Sequence, residues 1–180
     1  MGFLDKMARA FDGLNDKVGS YIAWAAIVMV LMQFTVVVMR YIFGIGSIMM
    51  QESVVYLHGV LFMVGAGYTL LHEGHVRVDI FYREATPRTK AIVDLFGSLF
   101  LLLPVCILIS WSSYQYIVTT WGSLEGSRET SGIPAVFLLK STIWIFTGLL
   151  ILQGLSSAAK SFLFLRGHIR ELPRSGEGRV

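Results

Sequence analysis

Four apolar runs, each long enough to cross a bilayer, constrain this chain more than any other feature. A membrane-spanning helix needs about 20 consecutive, mostly apolar residues. The runs cover about Ser20–Phe43, Val54–Leu71, Ala91–Trp111 and Ala135–Ala159. Hydrocarbon offers no partner to a backbone N–H or C=O, so runs of this length must close their hydrogen bonds internally as helices. Composition agrees: 54% of the residues are hydrophobic and 15% are charged, against about 25% charged in an ordinary soluble domain. The sequence therefore predicts an all-α membrane protein with four transmembrane helices in one domain spanning residues 1–180.

The first run is too long for a signal-peptide core, and no small-residue cleavage site follows Met39, so it reads as a retained anchor. Orientation follows from the cations. Lys6, Arg9 and Lys17 precede the first run. Arg77, Arg83, Arg88 and Lys90 lie between the second and third, and Lys160, Arg166, Arg170, Arg174 and Arg179 close the chain. The other two connections hold only Arg40 and Arg128, and Lys140 lies within the fourth run. The positive-inside rule puts both termini and the middle loop in the cytoplasm.

Local signals refine this picture. Phe3, Leu4, Met7, Phe11, Leu14 and Val18 recur at helical spacing, which predicts an amphipathic interfacial helix over residues 1–19. Thr86-Pro87 is a cap followed by a proline suited to the first helical position. Pro104 falls mid-span and should kink the third helix or have its freed backbone group satisfied by neighbours. The polar stretch SWSSYQYIVTTW (Ser110–Trp121) should prolong that helix or pack against something. Residues 166–180, with Pro173, Gly176 and Gly178, read as a flexible cytoplasmic tail.

The charged positions carry little chemistry. His72-Glu73-Gly74-His75 has its histidines three apart, whereas a helical zinc-protease motif needs them four apart. His75, Arg77 and Asp79, with Lys90 and Asp94 paired one turn apart, are instead expected to order the cytoplasmic turn. Arg40 and Glu52 bracket the first outer loop and are placed to pair. Lys140 should reach the interface or meet Glu125 or Glu129. His58 and Gln33 stand alone in their spans. The single Cys106 allows no intramolecular disulfide and no cysteine redox pair. Basic residues are not interleaved with exposed aromatics, so nucleic acid is not an expected partner. Gly59, Gly65 and Gly67, with Ala66 and Thr69, form a small-residue face that lets helices approach closely, either within the chain or against another membrane protein.

No acid crosses the centre of a span, no repeat is evident, and haem or cysteine pairs are missing. The chain thus lacks the equipment of a stand-alone secondary transporter, a redox carrier or an enzyme. Two readings remain: an accessory subunit, or a homo-oligomeric tetraspan channel or binding protein.

Several motifs, taken in order, bear on the choice. They are Arg40-Tyr41 closing the first span, Gln51-Glu52 before the second, GAGYTLLHEGHVRVDIFY from Gly65 to Tyr82, and TPRTKAIVDLFGSLF after it. WGSLEGSRETSGIPAVFLLK and Gln153–Leu155 follow. Together they resemble the small membrane subunit of tripartite ATP-independent periplasmic (TRAP) transporters, in its longer, carboxylate-associated form. The resemblance implies a bacterial or archaeal cytoplasmic membrane and a separate large membrane subunit that carries the sodium and substrate sites. It also implies a periplasmic binding protein that delivers an organic acid, and no cofactor in this chain. In those terms Arg40, Glu52, Gly59, Gly65, Gly67, Glu125, Arg128, Glu129 and Lys140 become candidates for the interfaces with those two proteins and with lipid.

Overall fold

The computed structural model describes residues 2–76, 82 and 84–168. Arg77 and Asp79 of the expected turn lie outside them, as does the expected tail from residue 169 onward. Seven α-helices carry the described chain: α1 Phe3–Ile22, α2 Trp24–Ile42, α3 Ile48–Leu71, α4 Pro87–Phe96, α5 Leu103–Ser112, α6 Tyr114–Ser123 and α7 Val136–Leu165. A π-helical turn, Gly97–Leu102, joins α4 to α5. Four helical stretches are long and apolar enough to cross a membrane: Phe3–Ile42, Ile48–Leu71, Pro87–Ser123 and Val136–Leu165. The four expected spans are therefore present.

The third span shows how local chemistry shapes a helix. Thr86 Oγ1 accepts a hydrogen bond from the Thr89 amide at 3.3 Å, and Pro87 takes the first helical position. Pro104 has no amide hydrogen for the preceding turn, and the widened π turn lies immediately before it. After a break at Ser113 the polar stretch continues as α6, where Trp121 stacks edge-on against Phe137 and donates from Nε1 to Ser141 Oγ at 2.7 Å. It thus both prolongs the span and packs on α7.

Two helices stop in the same way. At the end of α3, Glu73 takes a left-handed φ of 55°, its amide reaches Leu70 O at 3.3 Å, and the Gly74 amide reaches Thr69 O at 2.8 Å. At the end of α6, Leu124 has φ 46°, its amide reaches Trp121 O at 3.3 Å, and the Glu125 amide reaches Thr120 O at 3.1 Å. Both are Schellman closures with a side chain where glycine usually sits. His72-Glu73-Gly74 is therefore a helix stop.

α7 is the hub, packing on α1, α3, α4 and α5. The bundle has two ends. The loop end carries the connection 43–47 and the loop 124–135; the terminal end carries α1, the residues after Leu71 and the end of α7.

The N-terminal stretch is helical, and its protein-facing side carries Asp12, Asn15 and Asp16 beside small residues. Ala8, Asn15 and Gly19 are buried against the bundle, while Phe3 is 81% and Leu14 45% exposed. Leu4, Met7, Phe11 and Val18 are half-buried, so Phe3 and Leu14 are the part of the apolar side left open to lipid.

Candidate functional site: polar clusters at the two ends of the bundle

At the terminal end, three side chains of α1 engage α7 and α3. Asp12 Oδ1 accepts from Ser156 Oγ at 2.6 Å and Gln153 Nε2 at 3.1 Å, and its other oxygen forms an ion pair with Lys160. Asn15 Nδ2 donates to Gln153 Oε1 at 3.0 Å. Asp16 Oδ1 meets His72 Nε2 at 3.0 Å, and the His72 ring lies against Tyr68. Asn15 Oδ1 is buried without a hydrogen-bond partner because it abuts Gly67, where a Cβ would come within 2.1 Å. None of these α1 contacts was foreseen. The available signals were Gln153 inside an apolar run and the helical spacing of Asp12, Asn15 and Asp16.

The small residues are spent largely within the chain. Gly67 is buried between Asn15 and Leu149, Gly59 approaches Leu139, and Gly65 faces Ile22 with room to spare. The expected cytoplasmic turn is represented by Tyr82, whose hydroxyl donates to Asp94 Oδ2 at 2.7 Å while Lys90 lies 5.6 Å from the Tyr82 ring. His75 is exposed.

At the loop end, Glu52 lies in the first turns of α3 and its carboxylate turns to the 124–135 loop rather than to Arg40. One oxygen accepts from Ser127 Oγ and the other from the Ile133 amide at 2.6 Å. Arg40 instead borders a notch of about 310 Å³ between α2 and α3, together with Gln33, Tyr41 and Gln51. Lys140 Nζ donates to Glu125 Oε2 at 2.5 Å and Thr120 Oγ1 at 3.2 Å, and lies 4.1 Å from the Tyr116 ring centre. Its side chain is only 15% exposed, so this cation is held in a pocket rather than extended along the surface. The hydrogen bond from Lys140 holds the Glu125 carboxyl below the usual carboxylate range. Arg128 and Glu129 are exposed at the loop tip.

A second groove, of about 800 Å³, runs between α5, α6 and α7, bordered by Trp111, Tyr114, Gln115 and Trp144. Ser110 Oγ donates to Thr147 Oγ1 at 2.8 Å on its floor. Among the described residues, no three His, Cys, Asp or Glu side chains gather as metal ligands.

Charges here hold helices and loops together at the ends of four spans, the architecture of a multi-pass membrane protein. The model of the DctQ component of tripartite ATP-independent periplasmic transporters matches residues 29–163, and the chain belongs to that family. It is a family of transporter components, not of enzymes. No curated protein and no solved structure matches the chain.

Proposed function

We propose that this chain is the scaffold subunit of a sodium-driven uptake system for carboxylates or related organic acids. In this reading it stabilises a separate large membrane subunit, which holds the sodium ions and the solute. Its terminal end faces the cytoplasm and its loop end faces a periplasmic binding protein.

One observation carries the reading. Gln33, Arg40 and Gln51 border a single notch between α2 and α3, and His58, two helical turns on from Gln51, continues the same side of α3. All four are exposed on apolar spans. Polar groups left in hydrocarbon are costly and ask for a protein partner. The exposed apolar residues of α2 between them, Val30, Phe34 and Val37, offer a packing surface for another helix. A helix bearing complementary polar groups satisfies both.

Co-expression with a candidate large subunit and reconstitution into proteoliposomes tests the proposal. The expected result is a one-to-one complex that takes up solute with sodium and binding protein, and no uptake by this chain alone. Uptake by the isolated chain, as a homo-oligomer, would overturn it.

A further inference from the structure

The loop 124–135 is tied down at both shoulders while its tip is left free. Ser127 donates its amide to Ile133 O at 3.1 Å, and the Phe137 amide returns to Glu125 O at 3.3 Å, so the loop closes on itself. The Glu129 amide bonds Ser127 Oγ at 3.1 Å and the Gly132 amide bonds Glu129 O at 3.0 Å. Lys140 holds one shoulder through Glu125. Glu52, from a different span, holds the other through Ser127 and the Ile133 amide. The fit is close. A Cβ on Gly132 would stand 2.7 Å from Glu52 Oε2 and 2.2 Å from Ser127 Oγ, so only glycine passes beneath the carboxylate. Beyond these ties, Arg128, Glu129, Thr130 and Ser131 are exposed in sequence.

We propose that Glu52 is a positioning residue: it pins this loop so that the tip from Arg128 to Ser131 stands as a preformed docking surface for a soluble partner bearing an acidic and a basic side chain side by side. The inference rests on the reading of the loop end as the face that meets the binding protein. It assigns different roles to charges that the sequence treats alike. Glu52 and Glu125 are spent inside the chain, and Arg128 and Glu129 are the charges presented. A mixed-charge rim acts mainly on encounter and register, so its contribution falls with ionic strength. Holding the loop ready removes an ordering cost at the moment of docking.

Shape and charge can be separated at position 52. In Glu52→Gln the side-chain carbonyl still accepts from the Ile133 amide while its NH2 donates to Ser127 Oγ, so the loop keeps its form without the charge. Glu52→Leu removes both ties. The assembled membrane complex is examined by hydrogen exchange at the amides of 127–133 and by uptake as a function of binding-protein concentration. The expected results are as follows. Glu52→Leu speeds exchange at Ile133 about tenfold or more. It also raises the half-saturating binding-protein concentration, with maximal uptake kept, while Glu52→Gln stays within about threefold of the parent in both. Arg128→Glu and Glu129→Lys raise half-saturation without altering exchange. If Glu52→Gln is as damaging to half-saturation as Glu52→Leu while its exchange stays parental, Glu52 touches the partner directly and the positioning role is overturned. Unchanged exchange in Glu52→Leu overturns it as well. If exchange rises in Glu52→Leu and half-saturation moves only with the tip variants, docking stands and the pin is dispensable. If no variant moves half-saturation, it is the docking reading that falls.

Discussion

Gly67 and Asn15 should be energetically coupled, because the glycine exists to admit the asparagine. A Cβ at Gly67 would lie 2.1 Å from Asn15 Oδ1 and 3.1 Å from both Asn15 Cγ and Leu149 Cβ. Asn15 is 1% exposed, and its amide donates to Gln153 Oε1 at 3.0 Å, Phe11 O at 3.3 Å and Leu149 O at 3.4 Å. It cannot yield without surrendering those bonds. Gly67→Ala should thus cost about 1–3 kcal/mol, the usual range for overpacking. Asn15→Ala removes the clash partner together with its bonds. At roughly 0.6 kcal/mol per side-chain bond between membrane helices, plus the unpaired Gln153 oxygen, it should cost about 1–2 kcal/mol. The double variant keeps only the milder 3.1 Å contact with Leu149 Cβ, and its cost should approach that of Asn15→Ala alone. The expected coupling then equals the cost of Gly67→Ala, about 1–3 kcal/mol. Unfolding in mixed detergent micelles, followed by tryptophan fluorescence, measures all four corners of the cycle. Costs that add to within about 0.5 kcal/mol would refute the reasoning, since independent sites behave that way.

Three further outcomes follow from the helix ends and the loop. Leu124 occupies a left-handed C-terminal closure at φ 46° and is 64% exposed. Leu124→Gly should therefore raise the unfolding midpoint by an equivalent of about 0.5–1 kcal/mol, and a lowered midpoint would show that the leucine side chain contributes more than the strain costs. Thr86→Ala removes the cap on the Thr89 amide and should cost about 1 kcal/mol in the same assay, with no change as the contradicting result. The folded carboxyl of Glu125 titrates below the ordinary 4.5, chiefly through its hydrogen bond from Lys140. A depressed carboxylate stabilises the fold above its unfolded value and loses that contribution as pH falls through its folded value. Once divided by the intrinsic rate at each pH, amide exchange in the 124–135 loop should rise as pH falls below the ordinary 4.5 in the parent. In Lys140→Met it should be faster at neutral pH and less sensitive to acid, and identical profiles would count against the pair.

What the sequence discloses here is mostly what one helix can say about itself. Long apolar runs announce the spans because lipid leaves the backbone no alternative. Thr86-Pro87 announces its helix start because capping is local. Lys140 names its partners because few acids lie within reach of a cation in the first turns after a loop, and Glu125 is the one it takes. Partnerships between distant segments are less legible. The spacing of Gly65 and Gly67 says that something comes close, without saying that Gly67 receives an asparagine from the N-terminal helix. The amphipathic pattern of α1 is visible, but hydrophobic periodicity gives no sign of which side meets the protein, and here Asp12, Asn15 and Asp16 turn inward because α7 and α3 offer Gln153, Ser156, Lys160 and His72. Glu52 pairs away from Arg40 for a related reason. Two residues at the ends of one short loop are near in sequence, but the better ligands, a hydroxyl and a backbone amide, arrive from another span.

The central claim is that α2 and α3 present a polar stripe to a different, larger membrane protein. Photo-crosslinking from positions 33 and 58 in native membranes tests it most directly. The account predicts adducts with the large transport subunit from both positions, lost when that subunit is deleted. Adducts with lipid alone, or with a second copy of this chain, would contradict it.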